Sequence, residues 1–325
     1  MPLALAIVMS IIFTIALYFA STVIIVYANS TLLQILPDYG IHDYQTTLAI
    51  RESLMPIGLI MLGITISLII IGFISKKGWL SAAGSIAFYL PVFGTFSLTM
   101  FYLAGIGILR VLWIPLIETV PGVFELGNVV LLPRFILLES LWNHIIDIFS
   151  YQLIASVIYG GFILFGILIF TVGTATWFVA RFRDQTVVTF GIYQYSRHPQ
   201  YLGFLLWSYG FLLTTVDLPV AFGGLWLSPS LPWLIGFFII LAVAIQEEIS
   251  MAEKYGEEYT AYRETAPFLF PIPKFVSHAL KTPIGAIFKK SWPEKRSEIA
   301  VIGLLYLVIL IILSIPFALN YGFYL

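Results

Sequence analysis

Cysteine is absent from the 325 residues of this chain. Disulfide bonds, zinc thiolates, cysteine-held iron–sulfur clusters and a thiol nucleophile are therefore excluded. Charged residues are scarce as well, at 10% of the chain, whereas about 25% is usual in a soluble domain. The net charge of −1 leaves no basic surplus for nucleic acid, so no nucleic-acid partner is expected.

Apolar residues make up 60% of the chain and occur in runs as long as the roughly 20 residues that cross a hydrocarbon core. Backbone groups in lipid have to bond within their own segment, so such runs are expected to be helices. The first run has no basic flank before it and no cleavage site after it, so a retained helix is expected. The predicted spans are residues 3–27, 54–75, 81–109, 151–180, 199–216, 231–246 and 299–319.

The fold class predicted is an all-α, polytopic transmembrane helix bundle of about seven spans. Its basic residues divide unequally between the two sides, because thirteen lysines and arginines fall on one side and only Arg51, Arg110 and Arg134 on the other. Cytoplasmic loops carry the excess of positive charge. The N-terminus and the candidate site are therefore predicted to be cytoplasmic.

Three parts of the chain are distinguished. Residues 1–185 are generic apolar helices, with a proline-interrupted stretch between 110 and 150 that is expected to be interfacial or re-entrant. Residues 186–273 hold the polar residues of a candidate hairpin and lid. Residues 274–325 comprise a basic segment, expected to lie on anionic lipid headgroups, and the last transmembrane helix.

The most informative polar cluster lies at the start of the fifth span. A charge at mid-bilayer costs on the order of 2.5–3.5 kcal/mol, so clustered polar residues at one boundary need a reason. Pro199 suits the first turn of a helix, which places Arg197 and His198 at the cytoplasmic mouth of the span. His198 and Tyr201 then lie one turn apart on one face.

Two short helices joined by a loop at 217–230 lead from this cluster to Glu247 and Glu248. The chain runs out and back, so both carboxylates are predicted to return to the leaflet that holds His198. The helix is expected to continue beyond Glu248, with three tyrosines on one stripe, until Pro267 stops it. This stripe is a candidate lid over a pocket.

Each feature has a simpler explanation when it is taken alone. Arginine and histidine at a boundary often snorkel or cap a helix, and boundary tyrosines often belong to an aromatic belt. The convergence of cation, imidazole, carboxylates and aromatic rings on one leaflet favours a pocket for a charged cofactor with an aromatic base.

These residues resemble the isoprenylcysteine carboxyl methyltransferase and phospholipid N-methyltransferase superfamily. The pattern is Arg-His-Pro-x-Tyr-x-Gly at 197–203, Glu-Glu at 247–248 and Tyr-Gly-x-x-Tyr-x-x-Tyr at 255–262. The resemblance implies an all-helical membrane enzyme that takes S-adenosylmethionine from the cytosol and a lipid or lipidated acceptor from the bilayer. An isoprenylcysteine carboxylate and a phospholipid amine both stay open as acceptors.

The resemblance implies a cofactor pocket lined by His198, Tyr201, Gly203, Glu247 and Glu248, with Arg263 and Glu264 facing the acceptor. Arg263 is expected to orient an anionic acceptor, and Glu264 is the candidate base for an amine. His144 and Asp147 lack a third ligand, so no metal site is expected. The cofactor-binding residues are expected to be Tyr193, Arg197, His198, Tyr201, Leu202, Gly203, Glu247 and Glu248.

Two other functions stay open. A membrane reductase of the sterol type resembles this region too. Its nicotinamide cofactor bears phosphates, and binding them would need more arginines around the pocket than Arg197 and Arg263. A transporter or scaffold is the non-enzymatic alternative, although no charged residue lies near the centre of a predicted span and transport pathways usually need a polar lining.

Overall fold

The computed structural model describes residues 2–23, 27, 44–75, 80, 84, 108–120, 122–142, 148–217, 229–290 and 292–321. Within these ranges the regular structure is helical and no strand occurs, so the all-α class is confirmed. The α-helices are α1 (Pro2–Ser21), α2 (Tyr44–Ile74), α3 (Ile114–Thr119), α4 (Leu132–Trp142), α5 (Ile148–Phe182), α6 (Pro199–Asp217), α7 (Ser230–Thr265), α8 (Lys274–Phe288) and α9 (Arg296–Tyr321). Short 3-10 helices cover Ile108–Trp113, Val123–Leu131 and Gly191–Gln194.

Five helices in the described ranges are long and apolar enough to cross a membrane, and they lie in α1, α2, α5, α7 and α9. They correspond to the first, second, fourth, sixth and seventh predicted spans. Their apolar side chains are widely exposed; Ile60 is 64% exposed and Leu164 65%. Contiguous apolar surface of this extent is rare on soluble proteins, and a bilayer covers it. The polytopic membrane architecture is therefore confirmed.

The third and fifth predicted spans are not among these five helices. Helix α6 begins at Pro199, as predicted, but is not among the five apolar helices, because Pro199, Gln200 and Tyr201 make its first turn polar. The third predicted span, 81–109, lies outside the described residues apart from 84, 108 and 109. A count of seven spans and a cytoplasmic N-terminus stay predictions.

The proline-interrupted stretch between 110 and 150 forms short helices rather than one continuous span. Trp113 and Phe124 are fully buried here, and their rings meet edge to face with centroids 5.1 Å apart. Pro115 and Pro133 each lie in the first turn of a helix, α3 and α4, where a missing N–H costs nothing, so each proline follows directly on the start of a helix. The interfacial or re-entrant placement of this stretch stays a prediction.

The chain forms two compact units. The first comprises residues 1–17, 163–207 and 238–306 and contains all the predicted site residues. The second comprises residues 18–162, 208–237 and 307–325. Within the second unit, the Ser230 hydroxyl donates to the carbonyl of Phe124 at 2.9 Å, which ties the start of α7 to the 3-10 helix Val123–Leu131. The division into three parts made from the sequence stays a prediction.

Glycines allow α5 and α6 to approach closely within the first unit. A Cβ atom on Gly203 would lie 2.5 Å from the backbone nitrogen of Phe170, and one on Gly166 would lie 2.4 Å from that of Trp207. Small residues at helix crossings permit such close contact in membrane proteins. The contact fixes the first turns of α6, and with them the residues just before Pro199, against α5.

Helix α7 continues beyond the predicted end of the sixth span and packs its last turns on the loop before α6. Tyr259 and Tyr262 lie in a buried cluster with Tyr193, and the Tyr262 hydroxyl donates to the carbonyl of Tyr193 at 2.7 Å. Gly256 kinks the helix with a φ of 54°, a conformation that favours glycine. The tyrosine stripe therefore covers this loop, whereas its action as a lid stays a prediction.

Candidate active site

Arg197 and Glu248 form a buried ion pair between the residues that precede α6 and the middle of α7. Nε of Arg197 donates to Oε1 of Glu248 at 2.5 Å, and Nη2 donates to Oε2 at 3.0 Å. Arg197 is 9% exposed and Glu248 is fully buried. The bidentate geometry is the strong form of an arginine–carboxylate pair, so each charge is compensated inside the protein.

Arg197 also holds the end of α7 and the turn that follows. Nη1 donates to the carbonyls of Arg263 and Ala266 at 2.8 and 2.6 Å, and the backbone N–H of Arg197 donates to the carbonyl of Pro267 at 2.9 Å. With the two bonds to Glu248, four of the five guanidinium N–H groups are engaged. The fifth N–H, on Nη2, has no acceptor among the described residues, and the cofactor contact of Arg197 stays a prediction.

His198 lies between the two adjacent carboxylates. Its Nε2 is 3.3 Å from Oε1 of Glu248, and its Nδ1 is 3.9 Å from Oε2 of Glu247. Within the described part of the chain no well-formed hydrogen bond reaches the buried Nε2, whose neighbouring carboxylate oxygen is Oε1 of Glu248. The structure therefore brings together the imidazole and the two carboxylates that the motifs single out, as expected.

Tyr201 completes this cluster on the exposed side. Its hydroxyl donates to Oε1 of Glu247 at 2.6 Å, and its ring stacks on His198 with centroids 5.6 Å apart and planes 26° apart. The Glu247 side chain is 51% exposed. Tyr193 is buried, and its hydroxyl accepts a hydrogen bond from Nε2 of Gln200 at 2.8 Å. Burial raises the pKa of the Tyr193 phenol.

The two carboxylates of this cluster have different partners. Glu248 is paired with the guanidinium of Arg197, whereas Glu247 is paired with no lysine or arginine among the described residues and faces only the imidazole of His198 and the hydroxyl of Tyr201. It lies within reach of ligands from solvent, beside the stacked rings of His198 and Tyr201. A carboxylate next to aromatic faces suits a cationic ligand.

The other predicted site residues lie at the edge of the cluster. Leu202 is half-buried, and Gly203 faces α5, where helix packing explains its missing side chain. Arg263 is half-buried and Glu264 is exposed. The assignment of Leu202 and Gly203 to the cofactor pocket, and of Arg263 and Glu264 to catalysis, stays a prediction.

The described residues contain no group of three or more His, Asp or Glu placed to hold a metal ion. The carboxylates of Glu247 and Glu248 bond instead to Tyr201 and Arg197. His144 and Asp147 lie outside the described residues.

Two aromatic residues that the motifs do not mark also belong to the cluster. The ring of Phe268 meets His198 edge to face at 5.1 Å, and the Arg197 guanidinium lies 5.8 Å from its centroid. Trp292 packs edge to face on Phe268 at 5.2 Å. No spacing signal identifies them, because each follows the end of a helix in a turn, where aromatic residues are common at membrane boundaries.

Comparisons with known proteins cover this part of the chain. The family described as "Protein of unknown function (DUF1295)" matches residues 147–266, which include Arg197, His198, Glu247 and Glu248. The Protein-S-isoprenylcysteine O-methyltransferase of Schizosaccharomyces pombe is 30% identical over 92 residues, which are 28% of this chain and 36% of that protein. No solved structure gives a significant match.

The chain thus spans about a third of the length of the curated relative that it matches. The family range coincides with the clustered motifs, and the relative is a methyltransferase by name. The resemblance to the superfamily of membrane methyltransferases that the motifs indicated is therefore confirmed.

Proposed function

We propose that this protein is an integral membrane methyltransferase that moves the methyl group of S-adenosylmethionine to a lipophilic acceptor, either an isoprenylcysteine-like carboxylate or a phospholipid amine. The observation that carries the proposal is the convergence of His198, Tyr201, Glu247 and Glu248 from two helices onto one cluster. The name and partial identity of the yeast relative support the same reaction class.

The residues present fit this cofactor. S-adenosylmethionine supplies an activated methyl group on a sulfonium and also carries an ammonium, a carboxylate, a ribose and an adenine. The exposed carboxylate of Glu247 would hold the ammonium or the ribose hydroxyls. The unpartnered Nε2 of His198 would donate to the carboxylate, and the Tyr201 ring would face the cation or the adenine.

A nicotinamide cofactor fits the same cluster less well, because it carries two or three negatively charged phosphate groups. Four of the five guanidinium N–H groups of Arg197 already donate to Glu248 and to two carbonyls of the described residues. Glu247 would repel a phosphate at the exposed side of the cluster. The charge distribution therefore favours a cationic methyl donor over the cofactor of a sterol-type reductase.

The residues of the chain act mainly by positioning in this reaction. Methyl transfer is an in-line displacement in which the bond from carbon to sulfur breaks as the bond to the acceptor forms. Holding the reactants in line is worth up to about 7–11 kcal/mol in favourable cases. The pair of Arg197 and Glu248 fixes α6 against α7, and so fixes the relative positions of His198 and Glu247.

The acceptor determines what else is needed. A carboxylate acceptor releases no proton, and Arg263, whose own carbonyl is held by Arg197, would orient its negative charge. An amine acceptor releases a proton, which Glu264 would accept from its exposed position at the end of α7.

Calorimetric titration of the purified protein with S-adenosylmethionine tests the proposal. We expect His198→Ala and Glu247→Ala to abolish binding. The matched controls His278→Ala and Glu253→Ala change exposed residues of α8 and α7 and should bind like wild type. Unchanged binding by both site variants, or binding of NADPH in place of S-adenosylmethionine, would reject the proposal.

A further inference from the structure

The segment beyond the family match places a tryptophan next to an aromatic ring that borders the proposed site. The family range ends at residue 266, and the chain then turns through Phe268 into α8 and back to Trp292. The rings of Trp292 and His198 both meet Phe268 edge to face, with centroid distances of 5.2 and 5.1 Å. Phe268 therefore links Trp292 to the imidazole of the proposed active site.

Trp292 and His198 share a second property. Nε1 of Trp292 and Nε2 of His198 are both buried, and neither has a hydrogen-bond partner in the part of the chain that is described. Buried polar atoms in native proteins are nearly always hydrogen-bonded, so such atoms point to a missing partner. The indole N–H can only donate, so its partner has to be an acceptor atom.

The turn that carries Trp292 is itself held in place. Oε2 of Glu298 accepts hydrogen bonds from the backbone N–H groups of Glu294 and Lys295 at 2.8 and 3.1 Å. Nζ of Lys290 donates to Oε2 of Glu294 at 2.6 Å, and this hydrogen bond raises the pKa of the Lys290 ammonium. Packing against Phe268 alone would be served equally by phenylalanine, which buries no N–H.

We propose that Trp292 recognises the methyl acceptor, by donating its indole N–H to an oxygen of that molecule. The inference rests on the proposed function. Arg197, His198, Glu247 and Glu248 all lie within the family range, whereas Trp292 lies beyond it. The matched range holds the proposed cofactor-binding residues, and on that ground we assign Trp292, which lies beyond it, to the acceptor.

The test uses Trp292→Phe, which keeps an aromatic ring against Phe268 and removes the N–H. Trp177→Phe is the matched control, because Trp177 is an exposed residue of α5 outside the cluster. Transfer of labelled methyl is measured on two probes, N-acetyl-S-farnesylcysteine and phosphatidylethanolamine vesicles. Binding of S-adenosylmethionine is measured in parallel on the same preparations.

For the probe that wild type methylates, we expect Trp292→Phe to raise the acceptor KM about tenfold, equivalent to about 1.4 kcal/mol, and to leave the Kd for S-adenosylmethionine unchanged. Trp292→His, which restores an N–H, should recover part of the loss. An unchanged acceptor KM, or a raised Kd for the cofactor, would overturn the assignment. Should wild type methylate neither probe, the proposed function falls and takes this assignment with it.

Discussion

Removing the positive charge of Arg197, as in Arg197→Met, leaves the carboxylate of Glu248 buried without its partner. Glu248 has no exposed surface, and both of its oxygens accept from the guanidinium in the native protein. Breaking a buried pair from one side typically costs about 3–5 kcal/mol. We expect a loss of stability in this range, with the freed carbonyls of Arg263 and Ala266 adding to it.

The loss should depend on Glu248, which a double-mutant cycle measures. In Arg197→Met with Glu248→Gln no buried carboxylate remains. The loss of stability in the double variant should therefore be smaller than the sum of the two single losses by about 1–3 kcal/mol. Unfolding in mixed detergent micelles, followed by tryptophan fluorescence, gives these energies. Arg181→Met, at an exposed arginine of α5, is the control. Additive losses would refute the ion pair as the element that holds α6 to α7.

Three further predictions concern the helix contact, the exposed carboxylate and the acceptor side. Gly203→Val should destabilise the protein by about 1–3 kcal/mol, because its side chain would clash with the backbone of Phe170; thermal unfolding measures this. Tyr201→Phe, which removes the bond to Glu247, should weaken S-adenosylmethionine binding about tenfold, whereas exposed Tyr195→Phe should not. Arg263→Ala should keep cofactor binding and lower kcat for a carboxylate acceptor, and loss of binding would place Arg263 against the cofactor.

Much of the helical framework could be predicted from the sequence, because the length of an apolar run and the position of a proline act locally. Helix α6 begins at Pro199, and α7 continues past Glu248, as expected. The meeting of His198 with Glu247 could be predicted as well, since a hairpin of two helices returns the chain to its starting leaflet.

The contact partners of the individual residues in the cluster could not be predicted. From the sequence, an arginine beside a histidine could bind a ligand carboxylate or a protein carboxylate equally well. The structure shows that Arg197 donates to Glu248 and to two backbone carbonyls. Gly203 was expected to bind the cofactor, and its packing against α5 gives the glycine a second explanation, which the sequence alone did not indicate. Phe268 and Trp292 carry no pattern, because their contacts join segments that the sequence keeps apart.

The most direct test of the central claim follows the methyl group itself. Membranes that contain the wild-type protein, His198→Ala or the control His278→Ala are incubated with methyl-labelled S-adenosylmethionine, and the lipid and protein fractions are separated. The account predicts label in a lipid or lipidated-protein fraction with wild type and control, and none with His198→Ala. Equal labelling with all three proteins, or no labelling by folded wild type, would contradict it.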